Sequence, residues 1–205
     1  LKKIVKNNDI SSIVININNV KLDLKLRGIN IYNVLAGLAV LNELNIDVKK
    51  TKSILQELEP SAGRGKRYEI MRYKKRFKFI DESYNASPLS VKNAITRFNL
   101  IKKEKFKKYL VLGDMLELGQ KSKKYHVEIS KVINRSDIDK VFVKGKQTIF
   151  TYKHLNKNKR GNILQNIEDI DLNLRSLISN NDYLMIKGSN ATGLNNFSKS
   201  ITRGF

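Results

Sequence analysis

The chain has 205 residues, of which 40% are hydrophobic and 29% are charged; this allows one large or two small globular domains and excludes a disordered chain. Forty lysines and arginines against 19 acidic residues give a net charge of +21, but they are spread along the whole chain, which favours solvated lysines over a surface for anionic ligands or nucleic acid. The chain contains no cysteine and no apolar run near the ~18 residues of a membrane span, so we expect a cytoplasmic protein without disulfides or membrane insertion.

The first part of the chain combines alternating and helical patterns. Alternation between apolar and polar side chains predicts two strands joined by a tight turn at Asn18-Asn19, and apolar residues then recur at helical spacing. The predicted strands are residues 11–18 and 20–26, and the predicted helices are residues 31–44 and 48–58. Pro60-Ser61-Ala62-Gly63 interrupts the pattern, so we place a domain boundary between residues 61 and 62.

From residue 62 onward, strands alternate with helices, an order that predicts βαβ units and a mostly parallel sheet in an α/β domain. The predicted strands are residues 67–73, 76–81, 109–112, 140–143, 163–164 and 183–187, the first two forming a hairpin across Lys74-Lys75. The predicted helices are residues 88–101, 122–134, 146–155, 168–179 and 192–202.

A polar turn joins the strand at residues 76–81 to the helix that begins near Pro88. Ser87 fits the N-cap position, and Pro88 fits the first helical position, where its missing N–H costs nothing. Ligands of open α/β sheets bind at the carboxyl ends of strands, so this turn predicts a ligand site. The alternative is a capped loop with ordinary surface polarity. The polar residues of the turn are Asp81, Glu82, Ser83, Tyr84 and Asn85.

Two further strand ends carry unusual turns, at residues 113–119 and 187–190. Gly113 and Gly188 would let backbone N–H groups approach a ligand closely. Lys187, at the end of an apolar strand, would direct a cation into the same crevice. Because a parallel sheet brings its strand ends to one edge, we expect all three turns to meet.

Two residues outside the strand ends are also candidates. His126 shares a helix face with Ser122 and fits a structural role or a substrate contact better than a metal site, since no second histidine stands nearby. Arg64, between Gly63 and Gly65 at the predicted boundary, would be held flexibly and could swing onto a phosphate. No P-loop, nucleophile elbow or metal-binding cluster of histidine and acidic residues occurs in the sequence.

Taken together, these segments resemble the Mur ligase family. Asp81–Pro88 is similar to the family's Asp-Asp-Ser-Tyr-Asn-Ala-Asn-Pro signature, with Glu82 and Ser87 as departures, and Val111–Gly119 is similar to a Gly-Asp-Met-x-Glu-Leu-Gly segment. The resemblance runs in chain order from about residue 20 to the end. Other similar segments are Asn30–Ala36, Pro60–Arg64, Lys144–Gln147 and Ile186–Ser189.

The resemblance implies a Rossmann-like C-terminal domain at residues 62–205, preceded at residues 1–61 by the strand-helix tail of a central P-loop-type ATPase domain. It also implies an ATP-dependent amide ligase in peptidoglycan synthesis that works through an acyl phosphate, with ATP and Mg²⁺ as cofactors. The Ser-Tyr-Asn turn favours UDP-N-acetylmuramoyl-tripeptide and D-alanyl-D-alanine as substrates. The chain begins without Met, which suggests a fragment. By the resemblance, the P-loop, the Mg²⁺ ligands and the UDP-binding domain would lie upstream, so we expect this fragment to be inactive alone, and we expect a monomer. The alternative is a non-catalytic nucleotide- or partner-binding domain.

By the same resemblance, six positions are candidates for ATP binding. Asn33 matches a contact to adenine, Arg64 a residue that reaches ATP, and the carboxylate turn the position that accepts the ribose hydroxyls, through either Asp81 or Glu82. Tyr84 and Asn85 would lie beside the nucleotide or the dipeptide. The candidates for the amine substrate are Asp114, Glu117, His126, Lys187 and Ser189. No metal ligand or catalytic residue is assigned.

Overall fold

The computed structural model describes residues 1–7 and 10–203, and it divides into two compact units, Leu1–Pro60 and Ser61–Phe205. The boundary that we predicted from sequence lies one residue further along the chain. No helix in the described ranges is long and apolar enough to cross a bilayer.

The first unit is a three-stranded antiparallel sheet with helices. Its elements are β1 (Lys3–Asn7), β2 (Ile10–Ile17), β3 (Val20–Arg27), α1 (Ile31–Glu43) and α2 (Lys52–Glu57). The strands lie in the order β1-β2-β3, and the predicted turn places Asn18 and Asn19 at φ 45° and 65°, the left-handed region that tight hairpin turns require. Strand β1 was not predicted, and Val48–Thr51 forms a 3-10 turn before α2 instead of the first turn of one longer helix.

The second unit contains the other strands and helices. Its strands are β4 (Lys66–Arg72), β5 (Lys75–Glu82), β6 (Lys108–Gly113), β7 (Lys140–Lys144), β8 (Arg160–Leu164) and β9 (Tyr183–Lys187). Its helices are α3 (Pro88–Asn99), α4 (Ser122–Asn134), α5 (Thr148–Lys153), α6 (Ile167–Leu177) and α7 (Leu194–Thr202). The structure confirms the α/β class and a mostly parallel sheet.

The sheet of the second unit has the order β4-β5-β9-β6-β7-β8, with only the β4–β5 pair antiparallel. Strand β9 enters between β5 and β6, so the three strands that end in the predicted turns are neighbours. The residue pairs Glu82–Lys187 and Leu112–Lys187 show that they end at the same level. The strand order reverses here, because the last strand of the chain returns to lie between β5 and β6. Open α/β sheets bind ligands at such points, beyond the carboxyl ends of the strands.

Alternation along the strands divides the core into two layers. Ile80 of β5 and Met185 of β9 pack with α3 and α4 on one face, and Phe79 and Ile186 pack with α6 and α7 on the other. Because successive side chains of a strand point to opposite faces, neighbouring residues at a strand end face different helices. This determines what each polar residue of the turn contacts.

Several predicted boundaries are wrong by a few residues. The β4–β5 turn lies at Tyr73-Lys74, whose φ angles are 56° and 58°, one residue before the predicted Lys74-Lys75. Helix α7 begins at Leu194 because Asn190–Thr192 forms a separate 3-10 turn. Strand β8 is longer than predicted, since a polar segment with little alternation pairs with β7.

Candidate functional site

The turn after β5 is fixed at its far end by the cap of α3. Ser87 is the N-cap, and its hydroxyl accepts from Ser90 N while Ser90 Oγ accepts from Ser87 N, at 3.2 and 2.9 Å. Pro88 occupies the first turn of the helix, as predicted. Between strand and cap, Ser83 is buried, whereas Tyr84 and Asn85 are exposed. The turn therefore presents a phenol ring and an amide to solvent, directly before a capped helix.

The two carboxylates that begin the turn lie on opposite faces of the sheet. Asp81 faces α7, where Ser198 Oγ donates to its Oδ1 at 2.7 Å. Glu82 faces α3, where Arg97 donates to its Oε1 at 2.6 Å. The exposed fractions are only 4% for Asp81 and 7% for Glu82. The two side chains thus have different environments and different partners.

The Asp81 carboxylate is used within the protein. Oδ1 accepts from Ser83 N and Ser83 Oγ at 3.2 and 2.6 Å in addition to Ser198, and Oδ2 accepts from Gly63 N at 2.7 Å. Four donors meet the demand of a buried carboxylate. Asp81 thereby joins β5, α7 and the segment around Arg64.

Arg64 is mounted beside the turn by backbone contacts on both sides of it. Gly65 N donates to Asp81 O at 2.7 Å, and Tyr84 N donates to Gly63 O at 3.0 Å. Both glycines have positive φ, 75° and 100°, and a Cβ on Gly63 would lie 2.7 Å from Tyr84 Cβ. The Arg64 guanidinium stacks 4.4 Å from the Tyr84 ring centroid. We expected a flexible segment around Arg64; in the structure both of its neighbours are hydrogen-bonded to the turn through their backbone.

Lys187 and Glu82 form a buried ion pair on the α3 face. The ammonium lies 3.4 Å from Glu82 Oε2, and it donates to the backbone carbonyls of Glu82, at 3.4 Å, and Asn85. Burial lowers the pKa of Lys187, and the charge of Glu82 opposes this effect. Lys187 is only 2% exposed and holds the turn from beneath, so it does not direct a free cation into a crevice as expected.

Asp114, at the end of β6, caps the neighbouring helix. Its Oδ1 accepts from Gln147 N and Thr148 N at 3.0 and 2.7 Å, which satisfies the first donors of α5. Gly145 has φ 133°, and a Cβ there would overlap the Asp114 carboxylate. The structure therefore gives Asp114 a capping role.

His126 and Ser189 also bind neighbouring backbone groups. His126 is 0% exposed; its Nε2 accepts from Met115 N at 3.1 Å, and its Nδ1 lies 2.9 Å from Ser122 O. This pair of contacts requires the neutral tautomer with the proton on Nδ1. Ser189 Oγ accepts from Leu116 N at 3.1 Å and donates to Ala86 O at 3.4 Å. Both residues thus hold the loop after β6 against its neighbours.

Gly113 and Gly188 serve packing in this structure, not the approach to a ligand that we expected. A Cβ on Gly113 would lie 2.7 Å from Leu194 Cδ1 and 3.0 Å from Thr192 Oγ1, and one on Gly188 would meet the same two atoms at 2.9 and 3.0 Å. The space above both glycines is filled by the start of α7.

The remaining sequence candidates are exposed. Glu117 lies in the loop after β6 with φ 62°, a left-handed conformation that is uncommon for glutamate and often marks a functional loop. Asn33, an exposed residue of α1, belongs to the first unit. Sequence reasoning missed Arg97 and Ser198, which helical spacing places on α3 and α7 but which no motif marks as partners of the turn. The described residues include no group of three His, Asp or Glu side chains that could hold a metal ion.

The comparisons with known proteins agree with this arrangement. Residues 66–190 match the family model described as "Mur ligase, glutamate ligase domain". The matched segment covers the six-stranded sheet and all three strand-end turns. The chain therefore belongs to the Mur ligase family, the family that its motifs resemble.

Within the family, the curated relatives include UDP-N-acetylmuramoyl-tripeptide--D-alanyl-D-alanine ligases. The Bacillus subtilis (strain 168) enzyme is 30% identical over 176 residues, which are 84% of this chain and 37% of the relative. The Rickettsia prowazekii (strain Madrid E) enzyme is 27% identical over 157 residues, 77% of this chain and 34% of the relative. The chain thus spans little more than a third of these relatives.

Solved structures show the same fold. The Thermotoga maritima MurF ligase in complex with ADP has a TM-score of 0.76 at 23% identity over 98% of this chain and 46% of that chain. An Acinetobacter baumannii MurF structure has a TM-score of 0.81 at 19% identity and covers 98% of this chain and 44% of its own. At these identities the likeness concerns the fold alone.

Proposed function

We propose that the chain is part of an ATP-dependent ligase that joins D-alanyl-D-alanine to UDP-N-acetylmuramoyl-tripeptide. The observation that supports this most strongly is the 30% identity to the Bacillus subtilis ligase of that name over 84% of the chain. Membership of the family is consistent with it, and so is the edge of the six-stranded sheet where the polar turns at residues 81–85, 113–119 and 187–190 lie. The work of this chain would be to bind part of the nucleotide and the amine substrate.

The nucleotide would bind at the turn after β5. Arg64 is an exposed cation whose planar group suits phosphate oxygens, and stacking on Tyr84 orients it. Of the two carboxylates, Glu82 has the smaller number of hydrogen-bond donors around it and retains lone pairs for ribose hydroxyls. Asp81 would act indirectly, by holding the segment that carries Arg64. The solved Thermotoga maritima relative contains ADP, in agreement with nucleotide use in this fold.

The reaction implied by the family resemblance has two steps. The terminal carboxylate of the tripeptide attacks the γ-phosphate of ATP, which releases ADP and leaves an acyl phosphate. The amine of D-alanyl-D-alanine then attacks the acyl carbon, phosphate leaves, and the amine loses its proton as the amide bond forms. Positioning and neutralisation of phosphate charge are the physical needs of such steps. Because the described residues contain no group of three metal-binding side chains, we assign no Mg²⁺ ligand among them.

Glu117 is the candidate for the ammonium group of the incoming dipeptide. Of the five predicted amine-side residues, four are buried and hydrogen-bonded within the protein, whereas Glu117 is exposed in a left-handed backbone conformation. A carboxylate would attract the protonated amine before it reacts. The four buried residues would shape the loop that presents Glu117, and Asn33 remains a predicted adenine contact.

Replacing Arg64 with alanine is expected to weaken ATP binding to this chain roughly tenfold, since one charge-assisted contact contributes about 1.5 kcal/mol. Isothermal titration calorimetry measures the affinity. Arg135→Ala is the control because Arg135 is an exposed arginine at the end of α4 and the change in net charge is the same. A parent chain that fails to bind ATP would contradict nucleotide binding, and equal affinities of the two variants would remove the role of Arg64.

A further inference from the structure

Arg97 is a cation outside the family-like segments that the sequence analysis named, and it contacts the turn after β5. It lies near the end of α3, and its guanidinium reaches back to Glu82 Oε1 at 2.6 Å. The Arg97 side chain is 53% exposed, whereas the Glu82 side chain is 10% exposed. An arginine has five N–H donors, and this contact uses only part of them. Arg97 therefore joins a buried carboxylate to the protein surface.

Positive charge exceeds negative charge around Glu82. Lys187 approaches the second oxygen of the same carboxylate at 3.4 Å, and the Arg64 guanidinium stacks on the ring of Tyr84, two residues further along the turn. Burial lowers the pKa of Lys187, and the charges of Arg97 and Arg64 lower it further to a smaller extent, so each arginine repels the Lys187 ammonium. Glu82 and Asp81 supply two negative charges against these three cations, which leaves one positive charge in excess. The Asp81 carboxylate lies on the opposite face, where it accepts from four uncharged donors.

We propose that Arg97, paired with Glu82, and Arg64, stacked on Tyr84 of the same turn, form a subsite for the phosphate oxygens of a polyphosphate ligand. The proposal rests on nucleotide binding at this turn and adds a residue that the sequence did not identify. Glu82 orients the half-exposed Arg97 guanidinium, whose remaining N–H groups could donate to an anion. A bound anion would offset the repulsion that Lys187 experiences from the two arginines. Lys187 contributes charge from beneath without touching the ligand.

The test uses three probes on the same chain, namely ATP, inorganic tripolyphosphate and adenosine, with affinities measured by NMR titration. Arg97→Gln is expected to weaken ATP and tripolyphosphate roughly tenfold and to leave adenosine binding within about twofold. Arg97→Lys keeps the charge and is expected to restore part of the lost affinity. The matched control is Lys92→Gln, because Lys92 also forms an ion pair on α3, with Glu128 at 3.1 Å, away from the turn.

The outcomes separate this proposal from nucleotide binding itself. If the parent chain binds ATP and Arg97→Gln binds ATP and tripolyphosphate as tightly as Lys92→Gln does, the phosphate subsite is wrong while nucleotide binding stands. If Arg97→Gln weakens adenosine but not tripolyphosphate, Arg97 acts on the ribose through Glu82, and the subsite is again wrong. If the parent chain binds none of the three probes, both proposals fail. Amide spectra of each variant show whether its fold is retained.

Discussion

Replacing Asp81 with asparagine is expected to lower the free energy of unfolding of the second unit by about 3 kcal/mol. The carboxylate accepts from Gly63 N, Ser83 N and two serine hydroxyls, and an amide of the same size can accept with only one atom. The hydroxyls can rotate, but the two backbone N–H groups cannot. Urea denaturation followed by circular dichroism measures the loss.

Glu128→Gln is the matched control for Asp81→Asn. Glu128 is a partly exposed carboxylate that pairs with Lys92, and surface ion pairs of this kind contribute little, about 0–1 kcal/mol. Amide hydrogen exchange at Gly63 gives a local measurement, because its N–H should exchange faster in Asp81→Asn even where the fold persists. A loss no larger than that of Glu128→Gln, with Gly63 still protected, would show that Asp81 does not hold the Arg64 segment.

Replacing His126 with alanine is expected to cost about 3 kcal/mol of stability as well. The substitution leaves a cavity under the loop after β6 and removes the acceptor of the buried Met115 N–H. Urea denaturation followed by circular dichroism measures this loss. His154→Ala serves as control, because His154 is exposed and its Nδ1 contacts a backbone oxygen of its own helix turn, Phe150 O, at 2.8 Å. We expect the control to change stability by less than about 0.5 kcal/mol.

This result would decide between the two interpretations of His126 that the sequence left open. A structural histidine lowers stability when it is removed, and its loss disturbs the amide signals of Met115 and Leu116. A His126→Ala variant as stable as His154→Ala would contradict the structural role and return His126 to the substrate candidates.

The sequence was sufficient for the parts of the fold that depend on local pattern. Alternation and helical spacing identified the βαβ order, and the pair Ser87-Pro88 identified the start of α3. Asn18-Asn19 identified the hairpin turn because asparagine tolerates a positive φ. Tyr73 and Lys74 adopt the same conformation without being typical of it, so that turn was placed one residue too late. Strand β1 was missed because the alternating pattern of the β2–β3 hairpin does not indicate whether a third strand pairs with it.

What the sequence could not supply was the partner of each polar residue at the strand ends. Asp81 and Glu82 are adjacent in the chain, yet their side chains point to opposite faces of the sheet. Asp81 contacts α7, which begins 113 residues later at Leu194, whereas Glu82 contacts α3, which begins at Pro88. A motif therefore marks both as ligand-binding without distinguishing a buried anchor from a residue with remaining lone pairs. Similarly, Gly113 and Gly188 suggest a ligand in a sequence, whereas in the structure Leu194 fills the space above them.

The most direct test of nucleotide binding at the turn after β5 is an amide NMR titration of the chain with ATP. We predict progressive shifts at Gly63, Gly65, Tyr84 and Asn85, the residues that surround Arg64 and the end of β5. The N-terminal edge of the sheet provides an internal reference, because buried Lys108 there is fully engaged by Asp137 and backbone carbonyls. Shifts confined to that edge, or none at the turn when ATP is in millimolar excess, would contradict the proposed site.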